Sequence, residues 1–172
     1  TALQNATVAT SAILGTNLRF GSSPLVFKTG LGSATIGAIS GSGPLVLTGY
    51  DQVNHAYGTD AIALTVGGNN ATTTYSAAIS GLGSLIKAGT GMMTLSATNT
   101  YSGGTTLNGG ILNITGALSS ASGTVTVNNG GTLAGTGSVA GATTVASGGA
   151  ISPGNGGAGA AGTLTMPGAL TL

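Results

Sequence analysis

The chain has 172 residues, room for one domain with a sizeable core, but only 3% of them are charged and the formal net charge is +1, where an ordinary soluble domain carries roughly 25% charged residues. With no basic stripe to neutralise phosphates and no basic amphipathic stretch, neither nucleic acid nor an anionic membrane surface is an expected partner. At 41% hydrophobic residues the chain is too apolar to stay disordered, yet its longest apolar runs fall far short of the roughly 20 residues that span a bilayer.

Internal repeats appear from the start of the chain. Ser23-Pro24-Leu25-Val26-Phe27 is echoed by Gly43-Pro44-Leu45-Val46-Leu47, an offset of 43 − 23 = 20 positions. Ala38-Ile39-Ser40-Gly41 returns as Ala78-Ile79-Ser80-Gly81, an offset of 40 or two such units, and residues 61–66 supply the unit between. Residues 50–60 break the rhythm with a polar run, Tyr50-Asp51-Gln52-Val53-Asn54-His55-Ala56-Tyr57-Gly58-Thr59-Asp60, read as an extended loop between two coils.

The second half repeats another phrase: an apolar residue, a polar turn with Gly-Gly, a small residue and an aliphatic one. It occurs at residues 107–112, 127–133 and 145–151, spaced 127 − 107 = 20 and 145 − 127 = 18 positions. Around it, Leu112-Asn113-Ile114, Thr124-Val125-Thr126-Val127 and Thr163-Leu164-Thr165-Met166 alternate at the period of a strand. That alternation sends Leu112, Ile114, Val125 and Val127 to one face. The Gly-Gly pairs permit positive φ at the corners. Residues 154–162, rich in Gly and Ala, read as a flexible loop between coils. Asn108, Asn128 and Asn129 occupy like positions, and either stack as a hydrogen-bonded ladder or serve as ordinary turn residues.

Short strands meeting at tight corners about every 18–20 residues predict an all-β fold, a single-stranded parallel β-helix or β-solenoid. A β-sandwich also has many short strands but needs no fixed period. No long segment has helical spacing of apolar residues. The whole length would make eight or nine coils, roughly 40 Å long at about 4.8 Å per coil.

Residues 89–112 read Gly-Thr-Gly-Met-Met-Thr-Leu-Ser-Ala-Thr-Asn-Thr-Tyr-Ser-Gly-Gly-Thr-Thr-Leu-Asn-Gly-Gly-Ile-Leu. This resembles the passenger-associated transport repeat of bacterial autotransporters. The specific positions are Asn99, Thr100, Tyr101, Gly103, Gly104, Thr105, Thr106, Gly110 and Leu112. Met92-Met93 stands where the family has Thr-Leu, and Ala97 where it has Gly. The family's downstream pattern is similar to residues 149–154 and 162–165. About half of the chain carries the resemblance. It implies a right-handed β-helix, exported through the outer membrane to the surface of a Gram-negative bacterium by a C-terminal outer-membrane β-barrel of the parent chain. The absence of cysteine suits such export, since a disulfide loop would jam a narrow pore. No signal peptide and no barrel strands are visible, so residues 1–172 are expected to be one β-helix segment of a larger passenger. Residues 1–88 would be degenerate coils and residues 89–172 transport-repeat-like coils. The implied role is a rigid stalk that promotes folding and export.

Little in the sequence suggests catalysis, and no enzyme, cofactor or metal is expected. Apart from tyrosines and termini, the ionisable set is Arg19, Lys28, Asp51, His55, Asp60 and Lys87. A β-helix glycosidase needs a carboxylate pair, and Asp51 with Asp60 is the one on offer. Both fall in residues 50–60 with His55, Tyr50 and Tyr57. The functional reading of these five residues is a partner-binding loop, which would make the β-helix an adhesin touching a host surface or matrix. The plain reading is a solvated loop. A metal site on His55 with Asp51 or Asp60 lacks the usual third ligand. Tyr101 reads as a packed ring rather than a ligand contact. The Thr-x-Thr pairs at 124–126 and 163–165 do not recur at one position in every coil, which argues against an ice-binding face.

Overall fold

The computed structural model describes residues 2–3, 13–15, 26–51, 53–119, 123–155 and 161–172. Among them there is no helix, and parallel strands stack into a β-solenoid of about 6 turns. Each coil runs through up to three short strands. The first face is a seven-stranded parallel sheet of Ser33–Ile36, Ala63–Val66, Ser84–Lys87, Thr105–Leu107, Val125–Val127, Thr143–Val145 and Leu170–Thr171. The second face stacks Thr73–Tyr75, Met92–Leu95, Gly110–Ile114, Gly131–Gly135 and Ala150–Pro153. The third stacks Thr98–Asn99, Ala117–Leu118 and Ser138–Val139.

Period-2 alternation decides which side chains enter the stack. On the first face Val66, Lys87, Leu107, Val127 and Val145 follow one another in register. On the second, Met93, Leu112, Leu133 and Ile151 do so. Leu107, Leu112, Ile114, Val127 and Leu133 are fully buried, so the expected inward face is the observed one. The spacings of the second-half phrase, 20 and then 18, are also the spacings of the ladder.

The first half stacks differently from its sequence echoes. Val26–Lys28 pairs with Thr48–Asp51 through Phe27 and Gly49, not with Leu45–Val46. Leu45–Val46 pairs with Ile79–Ser80, 79 − 45 = 34 positions away, while Ala38–Ser40 pairs with Ile13–Gly15. Similar phrases in this half therefore occupy different places in the coil. Ser23, Pro24, Leu25 and Arg19 lie outside the described residues, as do residues 156–160 of the Gly/Ala stretch.

The count of about 6 turns replaces the expected eight or nine. Two insertions within the described residues take up part of the difference, together somewhat less than one coil. Between Ala34 and its partner Leu64 the step lengthens to 30, because a hairpin leaves the stack. Between Thr143 and Leu170 it is 27, because the Gly/Ala stretch intervenes. Residues 163–166 do not form the expected strand: Thr165 makes one isolated bridge to Ser138. Pro167, which has no N–H to give a ladder, follows at once.

Close stacking also dictates glycine at Gly135. Its φ is +134°, and a Cβ there would lie 1.9 Å from the carbonyl oxygen of Ile114, its partner in the coil before. Gly135→Ala is therefore expected to cost at least about 1–3 kcal/mol through strain and overpacking, measured by denaturant unfolding. An unchanged midpoint would mean that this corner is loosely stacked.

Candidate functional site

Two places gather the residues singled out by sequence: the corner and strands of residues 85–114, and the hairpin at residues 48–61.

Asn99 sits on the third face at an inward position that Leu118 and then Val139 occupy in the next coils. It is 1% exposed, so its amide must be fully partnered. The Ile79 N–H donates to its Oδ1 (3.0 Å), and its Nδ2 donates to the carbonyls of Ala97 (2.9 Å) and Ala117 (3.1 Å). Ile79, Ala97 and Ala117 belong to three successive coils. One side chain thus ties three turns of the stack.

Tyr101 follows at the corner, buried, with its hydroxyl 2.7 Å from Thr105 Oγ1. Burial pushes its phenol well above the ordinary tyrosine range. The ring packs in the core, as expected of a packed side chain. Beside it is a cavity of about 10 Å³ touching Asn99, Tyr101 and Thr105, enough for about one water. Thr100 is exposed but donates its N–H to Ile79 (2.8 Å), and Gly103 donates to Gly83 (2.9 Å). Gly104 turns the chain at φ +85°. Its Cα packs so closely that a Cβ would lie 2.8 Å from Thr124 O. Thr105 then points inward and Thr106 outward. Gly110 opens the next strand, and Leu112 is buried in it.

Lys87 is the group that motif reading passed over. It occupies the inward row between Val66 and Leu107 and is 1% exposed. Its Nζ donates to the carbonyls of Ala88 (2.6 Å), Gly89 (3.2 Å) and Gly109 (3.4 Å). The strands stacked on it, Ala63–Val66 and Thr105–Leu107, contain no ionisable residue, and the three carbonyl dipoles offset the buried charge. Burial lowers its pKa. The alternation of Ser84-Leu85-Ile86-Lys87 carried the signal: it puts Lys87 on the same face as the core residue Leu85.

At the neighbouring corner Asn128 Nδ2 donates to Asn108 Oδ1 (2.8 Å), so these two form a rung of the asparagine ladder. Asn129 instead lies against Gly148. Outward on the first face, Thr35, Thr65, Thr106, Thr126, Thr144 and Thr171 share one row, broken by Ile86. Thr165 is elsewhere, against Ser138.

Residues 50–60 are a β-hairpin rather than an extended loop. Its strands, Thr48–Asp51 and Ala56–Ala61, pair antiparallel, with Tyr50 opposite Tyr57 and Asp51 opposite Ala56. The side chains explain the closure. Asp51 Oδ1 accepts from the N–H groups of Val53 (2.8 Å) and Asn54 (3.3 Å), and Oδ2 from Asn54 Nδ2 (2.6 Å). These bonds, led by the Val53 N–H, hold its carboxyl below the usual aspartate range. His55 takes the turn's positive φ of 51°, a conformation His tolerates better than most residues. Tyr50 and Tyr57 meet edge to face at 5.2 Å, and burial followed by the Tyr50 neighbour raises the Tyr57 phenol. Asp60 turns away from the tip, its Oδ2 accepting from the Gly30 N–H (3.1 Å). Both carboxylates are thus engaged in fixing backbone. Among the described residues no three His, Cys, Asp or Glu side chains gather as a metal would require.

Two outcomes follow from the buried polar groups. Asn99→Ala strands the Ile79 N–H in the core and should cost about 1–3 kcal/mol, more than Asn108→Ala at the exposed rung. Equal losses in chemical unfolding would show that Asn99 is not the tie. For Lys87 the folded-state pKa lies below the unfolded value. Between the two, the unfolded chain binds more protons, so the wild type gains stability as pH rises toward about 10.5. Relative to Lys87→Met, which keeps the tyrosines and lacks the amine, the wild type should therefore gain from pH 7 to 10. A flat difference in unfolding free energy would contradict the burial of the charge.

Comparison with known proteins adds one match. No curated protein matches the chain, and no solved structure does. Residues 85–114 match the family model described as passenger-associated-transport-repeat; that span begins at the strand bearing Lys87, passes through Asn99 and Tyr101, and ends at Ile114 in the strand bearing Leu112. The chain carries, at residues 85–114, the passenger-associated transport repeat of autotransporters.

Proposed function

We infer that this segment is a non-catalytic stalk of an autotransporter passenger, displayed on the bacterial surface, whose transport-repeat coils form early outside the cell and favour onward export. One observation carries the reading: the matched span 85–114 holds buried polar side chains that bind one coil to the next. Asn99 engages Ile79, Ala97 and Ala117, and Lys87 reaches Gly109. Each coil contacts chiefly its neighbours, so a folded coil offers a finished edge on which the next can stack, and folding propagates one coil at a time. A chain folding in that way outside a pore removes the unfolded form and biases movement outward. The near absence of charge and of cysteine lowers the obstacles to threading. The parent chain would supply the C-terminal barrel through which the segment passes.

The test is surface display of the parent chain with Leu112→Gly, Val127→Gly or Leu133→Gly, each a buried position in the stacked rows. Appearance of the passenger at the surface, followed by protease accessibility over time, should slow several-fold. Unchanged kinetics, with the coils shown to be destabilised in the purified chain, would refute the export role.

A further inference from the structure

The outer hairpin strand, Ala56–Ala61, ends the four-stranded sheet to which it belongs, and at six residues it is the longest strand of the described residues. All six residues are exposed, so the strand projects from the solenoid, and among the described residues no strand pairs with its outer edge. Such an edge offers a row of N–H and C=O groups to another strand. Folded proteins usually guard it with lysine, proline or shortness. Ala56-Tyr57-Gly58-Thr59-Asp60-Ala61 has neither lysine nor proline. Its one charge, Asp60, is bonded to the Gly30 N–H.

We propose that this edge is an interaction surface for a second copy of the chain, the two outer hairpin strands pairing antiparallel about a twofold axis. The strand is suited to itself. A twofold axis normal to the sheet keeps like faces together, so opposed residues must be the same residue or differ by an even number of positions. Centred on Thr59, the pairing sets Thr59 against Thr59 of the second copy, Gly58 against Asp60, and Tyr57 against Ala61. Facing threonines are a favourable cross-strand pair, and no like charges face each other. A formal charge of +1 leaves little repulsion between copies. A ladder this short falls well below the roughly 1,200 Å² that a stable interface buries. The association is therefore weak for one pair and grows where many copies are held close together. This surface stands apart from residues 85–114 and does not depend on the export role.

Charge placed at the centre of the pairing tests it. Thr59→Lys and Thr59→Glu, both at an exposed position, should leave the far-UV dichroism of the 172-residue chain unchanged. Sedimentation velocity over a concentration series should give a monomer–dimer equilibrium for the wild type. Each variant alone should associate several-fold more weakly, and an equimolar mixture of the two should recover dimer. A wild type monomeric at all concentrations would overturn the proposal. So would association that persists in both variants, or a Lys–Glu mixture no more dimeric than either variant alone.

Discussion

The parallel ladder between coils is the constraint on which the rest of this molecule depends. In a parallel stack each strand's N–H and C=O groups are met by the coils before and after it, never within its own coil. The spacing between partners therefore stays within narrow bounds along these coils: it is 20 from Leu85 to Thr105, 20 from Thr105 to Val125 and 18 from Val125 to Thr143. Extra residues must leave the stack and return. Among the described residues the hairpin at residues 48–61 does so, and the step from Thr143 to Leu170 is lengthened in the same way. What projects from the solenoid is thus a consequence of what the ladder will not accept.

A stack of aliphatic rows has little to fix one coil against its neighbour beyond shape. Polar groups buried in those rows supply that register. Asn99 can satisfy both ends of its amide only if Ile79 and Ala117 lie one coil to either side. Lys87 needs Gly109 from the following coil as well as its own corner. A slipped stack would leave an amide and an ammonium buried without partners, at a cost larger than any single aliphatic contact repays. These residues and the Tyr101–Thr105 pair all fall within the matched repeat, which suggests that the repeat encodes registration more than surface chemistry.

The fold was most legible where every coil repeats. Leu107, Val127 and Val145 share both a phrase and a ladder position, so period and register could be read together. In the first half the phrases mislead: Leu45–Val46 sits beside Ile79–Ser80, not beside Val26. A phrase of small and aliphatic residues fits any inward position, and an insertion between two coils resets the count without leaving a mark on either. The hairpin was legible as an interruption but not as a hairpin. Its closure relies on Asp51 accepting from Val53 and Asn54 and on a positive φ at His55, neither of which has the Asn-Gly signature of a short turn. Of the motif residues, Asn99 and Tyr101 were visible as positions; Tyr101 bonds to nearby Thr105, but the partners of Asn99 at Ile79 and Ala117 lie about 20 residues away in other coils. Only the stacked structure brings those together.

Residue-by-residue hydrogen exchange on the folded chain tests most directly whether stacking through residues 85–114 organises the molecule. The amides of Ile79, Thr105, Asn108 and Asn128 donate across the coil boundaries of this span, to Asn99, Thr124, Lys87 and Leu107. They should be among the slowest to exchange, and those of Ala56–Ala61 among the fastest, with protection falling from the matched coils toward both ends of the stack. Exchange at these four amides as fast as in the hairpin would contradict the account.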